Sequence, residues 1–84
     1  MLGIVWQRAA WREFERLGLD VQARVEAAVD GLALNPRPPA ATPLRVGGLR
    51  LRVGHYRVVY DIDESAGRII VRAIGHRRDI YERL

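Results

Sequence analysis

The hydrophobic pattern of this chain changes period once, at a proline-rich segment near its middle. Before that segment, apolar residues recur at the spacing of one helix face, as in Val21, Val25 and Val29. After it, apolar and basic residues alternate, as in the Leu-Arg-Leu-Arg-Val sequence of residues 49–53. Residues 35–39 contain three prolines, which lack the backbone N–H that a helix needs. The chain is therefore predicted to be helical in its first half and β-stranded in its second.

The same patterns predict the individual elements. They are a strand at 2–6, a helix at 7–17, a helix from an Asp20 N-cap to about Leu34, and strands at 49–53, 56–63 and 68–75. Gly54 and His55 form a two-residue turn with glycine first, which is typical of a type II′ hairpin. Residues 64–67 form the next turn, and residues 76–84 are predicted to be a polar tail.

The predicted fold class is α+β, in a single domain that spans residues 1–84. An N-terminal strand and a two-helix hairpin precede a three-strand antiparallel meander, and the helices pack on one face of a four-stranded sheet. The sequence has no cysteine and two histidines, which excludes a disulfide framework and a thiolate metal site. We expect no metal and no cofactor. No apolar run approaches the roughly 18 residues needed to cross a bilayer, so we expect a cytoplasmic protein that binds no membrane.

The two turns also predict the register of the meander. Arg52 lies opposite Arg57, Asp63 lies opposite Arg68, and Arg57 lies opposite Ile74. One face of the sheet is then almost wholly apolar, with Leu49, Leu51, Val53, Tyr56, Val58, Tyr60, Ile62, Ile69, Val71 and Ala73. The other face carries Arg50, Arg52, Arg57 and Arg72.

The excess positive charge lies entirely in the second half of the chain. Residues 44–84 hold nine arginines and five acids, a net charge of +4, whereas residues 1–43 are neutral. Residues 44–60 hold four arginines and no acid. Like charges opposite each other on neighbouring strands destabilise a sheet, so an anion bound between them, nucleic acid above all, is one explanation. The other is that the arginine side chains splay apart into water.

Two strings in the second half resemble known proteins. Residues 51–60, Leu-Arg-Val-Gly-His-Tyr-Arg-Val-Val-Tyr, and residues 74–81, Ile-Gly-His-Arg-Arg-Asp-Ile-Tyr, are similar to segments of the RelE/ParE superfamily of bacterial toxins, and of its RelE-like branch in particular. The order of predicted elements is also similar over nearly the whole chain. The resemblance implies a toxin of a type II toxin–antitoxin system that enters the ribosomal A site and cleaves the mRNA codon there without a metal.

The resemblance also implies roles for particular residues. Arg57 matches the arginine that contacts the phosphate, and Arg50 matches a basic residue that assists the 2′-hydroxyl. Arg77 matches a second transition-state arginine. Tyr81 matches a C-terminal tyrosine credited with base stacking or proton handling. His76 is a further candidate for proton transfer. We expect Arg45, Arg52 and Arg72 to bind RNA. The sequence departs from the family pattern at Gly48 and Leu49, where a basic residue is often found, and in the short spacing from Arg77 to Tyr81.

Two other functions fit the same sequence. A ParE-like inhibitor of DNA gyrase shares this fold and has no nuclease residues, and a domain that only binds nucleic acid needs its arginines solely to neutralise phosphates. The expected partners of the toxin are a cognate RelB-like antitoxin, with which it forms a hetero-oligomer, and the ribosome with its mRNA.

Overall fold

The computed structural model describes residues 1–80, which form a mixed five-stranded sheet with helices packed against it. In chain order the elements are β1 (Gly3–Trp6), α1 (Arg8–Glu15), α2 (Leu19–Gly31), β2 (Ala41–Pro43), β3 (Leu49–Val53), β4 (Tyr56–Asp63), β5 (Arg68–His76) and α3 (Arg77–Ile80). The predicted α+β class is confirmed.

The strands lie side by side in the order β1-β5-β4-β3-β2. β1 pairs with β5 in parallel, and every other pair is antiparallel, so the predicted meander of β3, β4 and β5 is confirmed. The prediction of four strands is wrong, because Ala41–Pro43 adds a fifth beside β3. Three residues are too few to show an alternating pattern, and Pro43 is compatible with a strand only because β2 lies at the edge of the sheet.

The apolar core lies between the two long helices and one face of the sheet. The helices contribute Ala10, Phe14, Val25 and Val29, the C-cap residue of α2 contributes Leu32, and the sheet contributes Leu51, Val58, Tyr60, Ile69, Val71 and Ile74. All eleven are at most 5% exposed. The predicted packing of the helices on one face of the sheet is therefore confirmed.

The register of β4 against β5 contains a β-bulge that the sequence did not reveal. Val59 pairs with Ala73 and Tyr60 pairs with Val71, so Arg72 is an extra residue on β5. The predicted pairs of Arg52 with Arg57 and of Asp63 with Arg68 are confirmed. For residues 56–59 of β4, the predicted register against β5 is wrong by one residue.

The bulge changes which residues lie opposite β4 and which face the core. Arg57 lies opposite Gly75 and not opposite Ile74. Ile74, which is 1% exposed, takes the core position that the predicted register gave to Ala73. Ala73 consequently lies on the other face of the sheet.

The helix boundaries differ from the predicted ones. The N-cap of α2 is Gly18, and Asp20 lies in the first turn, where its carboxylate is favourably placed at the positive end of the helix dipole. α2 ends at Gly31, earlier than predicted. The segment predicted to be a polar tail begins with the last residue of β5 and the short α3, whose Ile80 is fully buried. No helix among residues 1–80 has the length and apolarity needed to cross a membrane.

The proline-rich loop is fixed to the sheet by one buried hydroxyl. Tyr60, which is fully buried on β4, donates its hydroxyl proton to the carbonyl oxygen of Pro36 at 2.7 Å. Burial raises the pKa of the Tyr60 hydroxyl above its ordinary value, and the nearby positive charge of Arg37 opposes that rise. This bond holds the loop that leads into β2.

Candidate functional site

Three of the predicted site residues meet on the face of the sheet opposite the helices, which we call the outer face. Arg50 and Arg52 project from β3 and Arg57 projects from β4, and all three line a depression of about 260 Å³. Pro39, Ala40 and Thr42 complete its lining, so no acidic residue of the described chain borders it. We call this the arginine depression. Its position confirms that the alternation on β3 and β4 collects these arginines on one face.

Arg57 is held in place by the turn that precedes it. Its Nη1 donates to the carbonyl oxygens of Gly54 at 3.0 Å and of Tyr56 at 2.9 Å. Gly54 has a φ of +59°, whereas His55 does not have a positive φ, because within 1–80 only glycines do. A type II′ turn requires this combination, with a positive φ at its first central residue only. The turn thereby directs two carbonyl oxygens at the guanidinium of Arg57, which lies opposite the like charge of Arg52.

Arg72 lies on the outer face beside a second depression of about 370 Å³. Its Nη1 is 3.2 Å from Oδ2 of Asp61, so the two side chains form an ion pair on the surface of the sheet. Arg45 is exposed in the loop between β2 and β3, and its two neighbours in the sequence, Leu44 and Val46, also line this depression. We call it the central depression; its lining is partly apolar and partly polar and includes Val59 and Ala73.

His76 lies away from these arginines. Because β5 alternates, His76 shares the helix-facing side of the sheet with Ile74, whereas Arg57 and its partner Gly75 lie on the outer face. The ring of His76 stacks on that of His55, with ring centroids 6.2 Å apart. It also lies edge-on to the ring of Tyr56, with centroids 5.7 Å apart. Together with Glu13 of α1 and Arg16, which is the C-cap residue of that helix, His76 and Tyr56 line a third depression of about 360 Å³.

Arg77 begins α3 at the same end of the sheet. Its backbone N–H donates to the carbonyl oxygen of His55 at 2.8 Å, so the β3–β4 turn and the start of α3 are tied together. The side chain of Arg77 is exposed. Tyr81 lies outside the described residues. No group of three or more histidine and acidic residues that can hold a metal ion is present within 1–80.

The structure brings other polar residues to these depressions that the sequence patterns did not indicate. Thr42 borders the arginine depression, Gln7 borders the central depression, and Glu13 lies beside His76, where its Oε1 also accepts from the N–H of Ile74 at 3.4 Å. They come from three different segments, namely the edge strand β2, the N-cap of α1 and α1 itself. No local sequence signal marks them, because their roles depend on how helices and edge strands are placed on the sheet.

The arginine depression has the chemistry of an anion site. Guanidinium groups are permanently charged and present a planar fork that matches the oxygens of a phosphate. Arg50 and Arg57 are half-buried, so their charges are screened less by water than those of fully exposed side chains. An anion placed between Arg52 and Arg57 removes the repulsion between two like charges that face each other across neighbouring strands.

Comparison with protein families identifies the chain. A family model described as the ParE toxin of the type II toxin–antitoxin system parDE matches residues 4–81. The chain belongs to this toxin family. It is accordingly a toxin of a type II toxin–antitoxin system with the RelE/ParE fold, as the two strings in the second half suggested. No curated protein is significantly similar to the toxin in sequence.

Solved structures share the fold of the toxin over most of its length. The RelBE2 toxin–antitoxin complex from Mycobacterium tuberculosis contains a chain that is 25% identical, with a TM-score of 0.80 over 90% of the toxin and 98% of that chain. The intact RelBE complex of E. coli gives 22% identity and a TM-score of 0.75 over 90% and 96%. A YoeB/ParE toxin from Agrobacterium tumefaciens is 19% identical, with a TM-score of 0.78 over 89% of the toxin and 98% of that chain.

Proposed function

We propose that the toxin is a ribosome-dependent endoribonuclease that cleaves mRNA at the A-site codon and thereby inhibits translation. The observation that carries this proposal is the arginine depression, where Arg50, Arg52 and Arg57 surround a space without any acidic residue of the described chain. An inhibitor that acts only by binding protein has no need of three arginines converging on one small depression. A phosphodiester passing through a doubly charged transition state does need them.

The proposed reaction uses the hydroxyl group of the RNA itself as the nucleophile. The 2′-oxygen attacks the adjacent phosphorus, the bond from phosphorus to the 5′-oxygen breaks, and the products are a 2′,3′-cyclic phosphate and a 5′-hydroxyl. A base takes the proton of the 2′-hydroxyl, and an acid supplies a proton to the departing 5′-oxygen. The resemblance to RelE-like toxins is the reason to propose a reaction that uses no metal.

The arginines are proposed to act on the phosphate. Arg57 is positioned by two carbonyl oxygens of its turn, and Arg50 stands on the neighbouring strand where it borders the same space. Arg52 adds a third positive charge and, with Arg45 and Arg72, is proposed to bind the RNA. Fixed positive groups aimed at developing negative charge stabilise a transition state without reorganising during the reaction.

Proton transfer is proposed to occur at the end of the sheet where α3 begins. His76 is the candidate at that end of the sheet, and Tyr81, which lies outside the described residues, is the second candidate. Arg77, the first residue of α3, is proposed to stabilise the transition state. Because His76 faces the helix side, it can act on the same phosphate only if the RNA bends around the end of the sheet. His76→Gln therefore tests a role separate from that of the outer-face arginines.

The antitoxin is the proposed physiological partner. The M. tuberculosis and E. coli relatives were both solved as toxin–antitoxin complexes. A basic surface of this kind attracts an acidic or amphipathic segment that folds on binding. We expect the toxin to co-purify with the product of the neighbouring reading frame as a hetero-oligomer, and purification of the toxin alone from cells that express both would contradict this expectation.

A second candidate function is inhibition of DNA gyrase, which the ParE family match favours. The arginine depression would then be part of a protein-binding surface. The two candidates predict different targets, so a single set of assays separates them.

The deciding experiment is primer extension on mRNA carried by programmed ribosomes, with naked mRNA and a gyrase supercoiling assay in parallel. We expect cuts within the A-site codon only when ribosomes are present, and a loss of about 10²–10³-fold in rate for Arg57→Ala. Arg68→Ala is the matched control, since Arg68 lies at the far end of β5 opposite Asp63. Intact mRNA together with inhibited gyrase would reject the nuclease and support the second candidate.

A further inference from the structure

The central depression adjoins the arginine depression on the outer face. Arg57 and Val59 project from the same face of β4 two residues apart, which corresponds to about 6.6 Å along a strand. Arg50 is the cross-strand partner of Val59, so one residue pair joins the two depressions. An RNA chain that places a phosphate beside Arg57 therefore brings a neighbouring part of the same chain over Val59.

The lining of the central depression combines apolar and polar surface, which suits a flat group that has a polar edge. Val59, which is 3% exposed, and Ala73 form the floor, and Leu44 and Val46 form a wall. Gln7 and Arg72 supply the polar groups at the rim. A volume of about 370 Å³ lies in the lower part of the range of small-molecule sites, about 300–1,000 Å³, in which apolar walls and a few polar groups are usual.

The wall of this depression is formed before any ligand binds. The loop from Leu44 to Gly48 closes on itself, since the N–H of Leu44 donates to the oxygen of Gly48 at 3.0 Å and the N–H of Gly47 donates to the oxygen of Leu44 at 3.1 Å. Gly48, with φ +81°, lies so close to Asp61 that a Cβ atom there would be 2.6 Å from Oδ1 of that carboxylate. Asp61 in turn holds Arg72 at the rim.

Gln7 is the rim residue whose polar side chain is available. Its backbone N–H donates to the oxygen of Val71, and its backbone oxygen accepts from Trp11. Although Gln7 is the N-cap of α1, its side chain makes no capping hydrogen bond. The amide therefore offers one acceptor and two donor hydrogens to a ligand, whereas the guanidinium of Arg72 is already paired.

We propose that the central depression holds a nucleobase of the RNA whose phosphate lies in the arginine depression, and that Gln7 recognises the edge of this base. The inference rests on the proposed nuclease function. Bases of single-stranded RNA are free to be turned out and bound through their edges. A glutamine amide matches the paired donor and acceptor of adenine, at N6 and N7, so the bound base is adenine.

A change of one atom in the Gln7 side chain tests this assignment. Gln7→Glu replaces the amide by a group that only accepts hydrogen bonds, and such a group pairs with the N4 amino group of cytosine. Primer extension is run on ribosomes that carry a randomised A-site codon, for the wild type, Gln7→Glu and Gln7→Ala. Gln22→Glu is the matched control, because it makes the same chemical change on α2, where Gln22 binds the oxygen of Leu17.

We expect the wild type to prefer adenine by about tenfold at one position of the codon. Gln7→Glu should move that preference to cytosine, Gln7→Ala should abolish it, and Gln22→Glu should keep it. Cleavage with the same base preference in both Gln7 variants would overturn this inference and leave the nuclease function standing. No cleavage by the wild type under any condition would overturn the nuclease function and this inference together.

Discussion

Arg52 of β3 and Arg57 of β4 lie directly opposite each other in the sheet. Such a pair of like charges opposes folding, and only one of its members is held by hydrogen bonds to the turn beside it. The arrangement is consistent with a surface that serves an anionic ligand rather than the stability of the free protein. It also makes stability and activity depend on these two residues in opposite directions.

Replacement of Arg52 by threonine should stabilise the free toxin and impair the proposed nuclease activity. Threonine favours strands, and the substitution removes the positive charge that faces Arg57. We therefore expect the free energy of unfolding to rise by about 0.2–1 kcal/mol. Urea denaturation measures the change, and the ribosome cleavage assay measures the loss of rate. Arg68→Thr, at a position opposite Asp63, should not gain stability. An equal gain in both variants would show that strand propensity alone explains the result.

The repulsion between Arg52 and Arg57 should be measurable as a coupling energy. In a double-mutant cycle with Arg52→Thr and Arg57→Thr, we expect the two single changes to be non-additive by about 0.2–1 kcal/mol. The coupling should weaken as salt is added, since ions screen charges near the surface. Additive single changes at low ionic strength would mean that the two guanidinium groups do not interact.

Tyr60→Phe should release the proline-rich loop from the sheet. Loss of the hydrogen bond to the oxygen of Pro36 should lower the free energy of unfolding by about 0.5–1.5 kcal/mol. Tyr56→Phe, at a half-buried position on the same strand, is the control and should change it less. A larger effect at Tyr56 than at Tyr60 would contradict the assigned anchor.

The Tyr60 pKa also predicts how stability responds to alkali. Because burial raises the pKa of this hydroxyl above its ordinary value of 10.0, the folded state favours the neutral form. The resulting stabilisation is present below the ordinary pKa and is lost as the pH rises through the pKa of the folded state. Unfolding curves between neutral and alkaline pH should therefore fall more steeply for the wild type than for Tyr60→Phe.

Two adjacent glycines should differ in their tolerance of alanine. Gly47→Ala adds a side chain at φ +96° in open space, and we expect a loss of about 1–2 kcal/mol from backbone strain alone. Gly48→Ala adds the same kind of strain and also forces Asp61 away from its position beside Arg72, so the loss should be larger. Thermal unfolding measures both variants. Equal losses would show that the close approach of Gly48 to Asp61 does not affect the stability of the Gly48→Ala variant.

Much of the fold was predictable because the decisive signals are local. The change of hydrophobic period marked helices before the proline-rich segment and strands after it. Gly54 is the residue type that a positive φ in a two-residue turn requires, and that turn alone set Arg52 opposite Arg57. The outer-face position of Arg50, Arg52 and Arg57 followed from alternation along two strands, so the centre of the candidate site could also be predicted.

The errors arose where contacts between distant segments decide the structure. Pairing with β3 makes a strand of Ala41–Pro43, which is too short to show a period of its own. The bulge inserts Arg72 into the pairing of β5 with β4, and the side chain of Arg72 forms an ion pair with Asp61 of β4. By shifting the register one residue, the bulge put Gly75 opposite Arg57 and left His76 on the helix-facing side.

The sequence by itself therefore determined the order and type of the main elements, the turn beside Arg57 and the collection of positive charge on one face. These depend on backbone preferences and on side-chain periodicity, which act over a few neighbouring residues. Only the tertiary structure decided that Gln7 and Thr42 border the same surface as the arginines, and that His76 does not. Those placements depend on how separate elements pack around one core, which no local pattern records.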